Sequence, residues 1–246
     1  MLKVYRMRVL ALDTSGRAGS VALIEDGRIL LERQGDASRT HGERLPGELA
    51  ALGATFFSID IFAVAIGPGS FTGLRIGIAT MQGLALVNNR RVVGVSALEA
   101  HAQLASRDLG AGAIVACWID AQRGDVFSSL YRVAEAPVFT PERLVELEAP
   151  AVAHPALTLA EWSGHDTESA TFVGDGAVRY MVHGGAPLQA ANSQRLIAAP
   201  VPIAGAIGCM AAVSAQRGLA TLPAEVHALY VRRPDAELHR NGSRLR

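Results

Sequence analysis

The chain has 246 residues, half of them hydrophobic, enough for one large domain or two small ones around a substantial core. Lysine plus arginine equals aspartate plus glutamate at 23 each, so no net positive charge is available to hold a polyanion by counterion release, which argues against unaided binding of a nucleic acid. Cys117 and Cys209 stand far apart in apolar runs, a pattern of buried free thiols in a reducing compartment, so a cytoplasmic location is expected.

Lys3, Arg6 and Arg8 lead into an apolar run at 9–12 that Asp13 stops, too short for a signal peptide or a membrane span; Met7 is a second candidate start. Residues 8–13, 20–25 and 28–33 read as three strands, with Asp26-Gly27 as a two-residue hairpin turn between the last two. Between the first two lies Asp13-Thr14-Ser15-Gly16, a carboxylate, two hydroxyls and a flexible glycine. It reads either as an Asx-type turn or as a phosphate-contacting loop. Thr40-His41-Gly42-Glu43 fits a capping box, the threonine hydroxyl taking the amide three residues on while the glutamate reaches back. A helix over about 43–52 is expected, bent or delayed by Pro46, which has no amide hydrogen.

The densest signal is FAVAIGPGSFTGLRIGIATMQGLALV at 62–87. Residues 62–66 are a short apolar run ended by Gly67-Pro68-Gly69, a buried strand entering a tight turn. A helix over 72–87 follows, capped by Ser70 or Thr72, with Leu74, Ile78, Met81 and Ala85 along one face. Arg75 and Gln82 form one thin polar stripe on an otherwise apolar or small surface, so this helix needs cover on more than one side. Gly77 and Gly83 each cost about 1 kcal/mol relative to alanine, a cost usually offset where another backbone comes close. The expected neighbour is a second helix, from this chain or another subunit. The candidate interface is Gly73, Arg75, Ile76, Gly77, Thr80, Gly83 and Leu84, with Glu43, Leu45 and Leu49 on the preceding helix.

Residues 91–95 read as a strand, and Ser96-Ala97-Leu98-Glu99 opens a helix to about 106. The first lobe then spans 7–107, and polar and glycine residues at 108–112 make a linker. The second lobe, 112–234, restarts the pattern with a strand at 113–120, a turn at 121–124 and a strand at 125–133. Placing Leu12-Asp13 over Ile119-Asp120 aligns the two hairpins as a weak internal repeat. Thr140-Pro141-Glu142 reads as a helix start, while the stretch to 170 is hard to place. A strand at 171–173 runs into Gly174-Asp175-Gly176-Ala177 and a helix, a turn whose amides could bind an anion or simply connect the two elements. A helix of small residues at 203–216, a short strand at 229–233 and a polar tail at 235–246, expected to be mobile, complete the chain.

The string from Gly67 to Gly77, GPGSFTGLRIG, closely resembles the hallmark of the bacterial TsaB family, also called YeaZ. Asp13-Thr14-Ser15, Thr40-His41 with Glu43, Gly94-Val95-Ser96 with Leu98-Glu99, Asp120 with Arg123-Gly124, Gly174-Asp175-Gly176 and Tyr230-Val231-Arg232-Arg233-Pro234 look like family positions in family order. The chain departs from the family at Gly42, where a serine is usual, and in a trimmed helix after it. The resemblance implies an α/β, two-lobed fold of the actin and hexokinase type, each lobe a mixed sheet with flanking helices, without catalysis of its own. It implies a scaffold or partner subunit in making threonylcarbamoyladenosine on tRNA, paired through first-lobe helices with the catalytic subunit TsaD and joined by the ATPase TsaE. TsaC would supply threonylcarbamoyl-adenylate, and TsaD would pass the group to the adenosine beside the anticodon. A homodimer in the partner's absence, tRNA contact only through the complex and no membrane contact belong to the same expectation. By likeness to the superfamily's phosphate loops, Asp13, Thr14, Ser15, Gly67, Gly69, Ser70, Gly174, Asp175 and Gly176 are candidate nucleotide or anion contacts.

The related catalytic subunits hold a metal through a His-x-x-x-His pair, one helical turn apart. The 7 histidines here, His41, His101, His154, His165, His183, His227 and His239, include no such spacing, so neither metal nor cofactor is expected. Two other readings stay open: a nucleotide-binding ATPase or phosphotransferase using Asp13 and the glycine loops, which needs a general base near a phosphate cleft, and a peptidase, which needs a metal pair or a nucleophile–base set that the sequence does not offer.

Overall fold

The computed structural model describes residues 6–53, 56–182, 195–197 and 202–231. The expectations for His183, His239, the end of the terminal strand and the tail lie outside them. Five strands, β1 (Arg8–Asp13), β2 (Ser20–Glu25), β3 (Arg28–Gln34), β4 (Ile61–Gly67) and β5 (Arg91–Ser96), form a first sheet in the order β3-β2-β1-β4-β5. Asp26 and Gly27 carry φ of 50° and 75°, the left-handed pair that a two-residue hairpin between β2 and β3 requires. A second sheet holds β6 (Ile114–Asp120), β7 (Val126–Val133), β8 (Leu144–Ala153), β9 (Thr171–Val173) and β10 (Arg195–Leu196) in the order β10-β9-β6-β7-β8. In both, three antiparallel strands continue into parallel ones through the lead strand. The two sheets therefore repeat one topology, and Asp13 and Asp120 end the two equivalent lead strands.

Strand alternation distributes the side chains into layers. Leu10, Leu12, Phe62, Val64 and Val92 point to one side of the first sheet, where α1 (His41–Ala50) and α2 (Phe71–Val87) contribute Leu45, Leu49, Ile78, Met81 and Ala85. Val9, Ala11, Ala63 and Ala65 point to the other side, against α3 (Ala97–Ala105) and α6 (Ala204–Gln216), in a core that continues into Val115, Cys117 and Ile119 of the second sheet. Beyond that sheet, Ala116, Trp118 and Phe172 pack with Trp162 and with Ala177 of α5 (Asp175–Val182). A short α4 (Pro155–Glu161) precedes Trp162.

Several expectations need correction. The helix after Thr40 begins two residues early, at His41, and Pro46 lies inside it. Glu43 accepts from both the amide and the hydroxyl of Thr40, at 2.9 and 2.7 Å, so this hydroxyl donates to the carboxylate. Pro141–Arg143 forms a single 3-10 turn and leads into β8, not into a helix. That stretch was opaque because β8 is an edge strand, which tolerates Pro150 and Glu146. Helix α6 packs on β1 to β5 of the first sheet. Its N-terminal amides are held there by first-sheet side chains, Ala204 N donating to Ser20 Oγ at 3.0 Å and Gly205 N to Glu32 Oε1 at 2.6 Å. The segment after it returns across β5, where Val92 and Thr221 form a bridge. Leu229 forms no strand there, although its amide donates to Ile66 O at 2.7 Å.

Candidate functional site

The glycine-rich turn and the start of α2 lie directly on the Asp13-Thr14-Ser15-Gly16 loop. Gly67 takes φ of 114°, closed to most side chains, and its peptide bond to Pro68 is cis. Ser70 caps the helix by accepting from Gly73 N at 3.2 Å, and Ser70 N donates to Ser15 O at 2.8 Å. A Cβ on Gly69 would sit 2.5 Å from Ser15 O, on Gly73 2.2 Å from Thr14 O, and on Gly77 2.1 Å from Thr14 Oγ1. The backbone that these glycines let approach is therefore the chain's own loop. Gly73 and Gly77 are buried against it, which removes them from the face open to a partner.

Inside the loop, Asp13 Oδ1 accepts from Ser15 N at 2.8 Å and from Ser15 Oγ at 2.6 Å, the Asx-type turn. Asp13, Thr14 and Ser15 are 7%, 1% and 5% exposed. Burial raises the Asp13 carboxyl above its ordinary range; the two Ser15 bonds oppose this, the Asp175 charge adds to it and Arg44 subtracts. The sign gives a test. A raised carboxyl costs stability where it is ionised, above its folded pKa, and that cost is relieved as pH falls through the folded value. Asp13→Asn keeps an oxygen for Ser15 and carries no charge. It should therefore be favoured over the parent at neutral pH by a margin that shrinks in acid, read by denaturant unfolding across pH.

At the second glycine turn, Gly174 has φ of 106°, and a Cβ on it would lie 2.2 Å from Trp118 O. A Cβ on Gly176 would lie 2.8 Å from the carbonyl carbon of Ile119. These glycines seat α5 against β6. Asp175 accepts from Asp120 N at 2.9 Å, and its carboxyl is raised, chiefly by burial. Asp120 in turn accepts from Arg179 at 2.7 Å and from the Gln122 amide at 3.0 Å. Among the described residues, no group of three or more His, Cys, Asp or Glu is placed to hold a metal ion.

The polar stripe of α2 serves the returning C-terminal segment. Arg75 Nε donates to Tyr230 Oη at 3.1 Å, and its guanidinium lies 3.8 Å over the Phe71 ring. Gln82 donates to Pro223 O and Val226 O at 2.8 and 3.0 Å. What α2 leaves open is apolar or small: Ala79, Gly83, Leu86 and Val87 are exposed, and Ile76, Thr80 and Leu84 half-buried. A Cβ on Gly83 would meet nothing within 4 Å. Of the α1 candidates, Leu45 and Leu49 belong to the core and Glu43 caps its own helix. Leu86 and Val87, three and four residues on from Gly83, share its helical face.

A family model described as TsaD, tRNA N6-adenosine threonylcarbamoyltransferase, matches residues 35–241. The tRNA threonylcarbamoyladenosine biosynthesis protein TsaB of Escherichia coli is 38% identical over 152 residues, 60% of this chain and 65% of that protein. The protein of the same description in Haemophilus influenzae is 39% identical over 130 residues, 51% of this chain and 54% of its own length. The chain thus aligns with little more than half to about two thirds of these relatives. A solved structure, YeaZ from Pseudomonas aeruginosa, superimposes with a TM-score of 0.71 at 30% identity, covering 91% of this chain and 99% of that one. With the model matched over most of its length and its fold shared with YeaZ over 91% of the chain, the chain belongs to the family that this model describes and, within it, to the TsaB (YeaZ) group.

Proposed function

We propose that the chain is a non-catalytic partner subunit in the biosynthesis of threonylcarbamoyladenosine on tRNA, pairing through its first-lobe helices with a TsaD-like catalytic subunit that a TsaE-like ATPase joins. One observation carries the reading. On α2, Leu86 and Val87 are 72% and 78% exposed beside the open Gly83, an apolar face on a helix whose other sides are already covered. The donation of Ser15 Oγ to Asp13 and the burial of the Thr14 side chain against Gly77 support the non-catalytic part, because the hydroxyls that a phosphate would need lie inside the fold. Balanced charge supports a tRNA contact made through the complex.

Leu86→Glu places a charge on that face without touching the core. It should weaken association with a TsaD-like subunit by about 2 kcal/mol or more, roughly thirtyfold. Modification of tRNA by the reconstituted set should fall with it, while the isolated chain unfolds as the parent does. Unchanged association in sedimentation with a correctly folded variant would remove this face from the interface.

A further inference from the structure

Arg44 has a side chain only 4% exposed, buried between α1 and the loop that follows β1. Its space comes from two glycines: a Cβ on Gly35 would overlap the guanidinium, and one on Gly19, where φ is 59°, would lie 3.0 Å from Nη2. Arg44 Nη1 donates to Glu48 Oε1 at 2.5 Å. Nη2 lies 2.5 Å from Nδ1 of His41, whose Nε2 is 3.0 Å from Gly16 O. A guanidinium has no acceptor and does not lose its proton in a protein, so Nδ1 must be the acceptor. The hydrogen of the neutral ring then sits on Nε2, pointing at the Gly16 carbonyl.

We propose that His41 is an acid-sensitive latch: neutral, it bridges the Arg44 guanidinium on α1 to the Gly16 carbonyl of the β1–β2 loop, and protonated, it loses Arg44 and keeps only its donor to that carbonyl. A proton on Nδ1 would set one N–H against another and a second positive charge against a permanent one. The ring must then turn away from Arg44, its Nε2–H still facing the Gly16 carbonyl, and the first turn of α1 loosens on the loop.

The charged groups around the ring act in both directions. On α1, Arg44 opposes protonation and Glu48 favours it. From the loop side comes Asp13, and from the connection between β3 and α1 comes Asp36, both of which feel Arg44. Exposed Arg17 follows Gly16. Burial, followed by Arg44, pushes the imidazole below its ordinary value. The unfolded chain therefore takes up the proton more readily than the folded one. The latch contributes its full stability above the ordinary histidine range and loses it as pH falls through the folded value.

Nitrogen-15 NMR of the intact chain tests this. At pH 7.5 His41 should show the Nε2–H tautomer, and its titration midpoint should lie below that of free imidazole. The Gly16 and Gly19 amide resonances should move with that same midpoint, and hydrogen-exchange protection in the first turn of α1 should be lost across it. His41→Gln retains an acceptor and a donor but does not titrate, so it should abolish the movement of Gly16 and Gly19 in that range. An Nδ1–H tautomer, a midpoint at or above that of free imidazole, or loop amides that still titrate in the His41→Gln protein would overturn the latch.

Discussion

Gly73→Ala should destabilise the isolated chain by about 3 kcal/mol, although alanine is the better helix former. The added methyl would lie 2.2 Å from the carbonyl oxygen of Thr14, a backbone atom with no rotamer to escape into. The helix would have to lift from the loop, loosening Ser70 N from Ser15 O and the packing of Gly77 on Thr14. Gly83→Ala is the matched comparison in the same helix. Its methyl would meet nothing within 4 Å, so the propensity gain of about 1 kcal/mol should appear undiminished. Urea unfolding of both variants reads the difference directly. If Gly73→Ala were as stable as the parent, the packing role assigned to the glycine string would fail.

Arg143→Met should cost more, about 3–5 kcal/mol, because several buried acceptors lose a charged donor at once, at roughly 1–3 kcal/mol each. Arg143 is 9% exposed, and its guanidinium donates to Ser106 Oγ at 3.2 Å, Ser106 O at 2.5 Å, Leu109 O at 2.8 Å, Ala134 O at 3.0 Å and Ala136 O at 3.2 Å. It ties the connection between the lobes to the loop after β7. Gln103 grips that loop from α3, donating to Thr140 O at 2.8 Å and accepting from Phe139 N at 2.7 Å. Methionine fills much of the volume and supplies no donor, so several carbonyls would be left with fewer partners in a place water does not reach. Arg143→Lys offers at most three donors and should fall between. Fluorescence of Trp118 and Trp162, both in the second lobe, follows the unfolding of that half. Equal stability of the methionine and parent proteins would show that these bonds contribute nothing net.

Much of the local structure was legible before any coordinates. The strands at Arg8–Asp13 and Ser20–Glu25 lie where apolar runs and turn residues place them, and Ser70 caps α2 as its hydroxyl and position suggest. The internal repeat was visible in two short hairpins and proved to be a repeated sheet topology. These features rest on interactions within a few residues of one another, where propensity, capping and alternation act. The family, too, was legible, because the string from Gly67 to Gly77 is dense and specific.

The use made of those residues was not legible. A helical glycine reports that something comes close without saying what: at Gly77 it is Thr14 of the same chain, and at Gly83 it is nothing within 4 Å. Arg75 finds Tyr230 155 residues along the chain, and α6 docks on the first sheet through Ser20 and Glu32. His41 and Arg44 become partners of a loop only because Gly19 and Gly35 leave room for a guanidinium. The sequence by itself determined the strands of the first sheet, the caps of α2 and α3 and the family. The tertiary structure alone decided which glycines are interior, which polar side chains are spent on the chain's own return, and which face of α2 stays open. Those choices depend on long-range contacts, whose geometry is set by how whole layers stack and leaves no periodicity in the residues that make them.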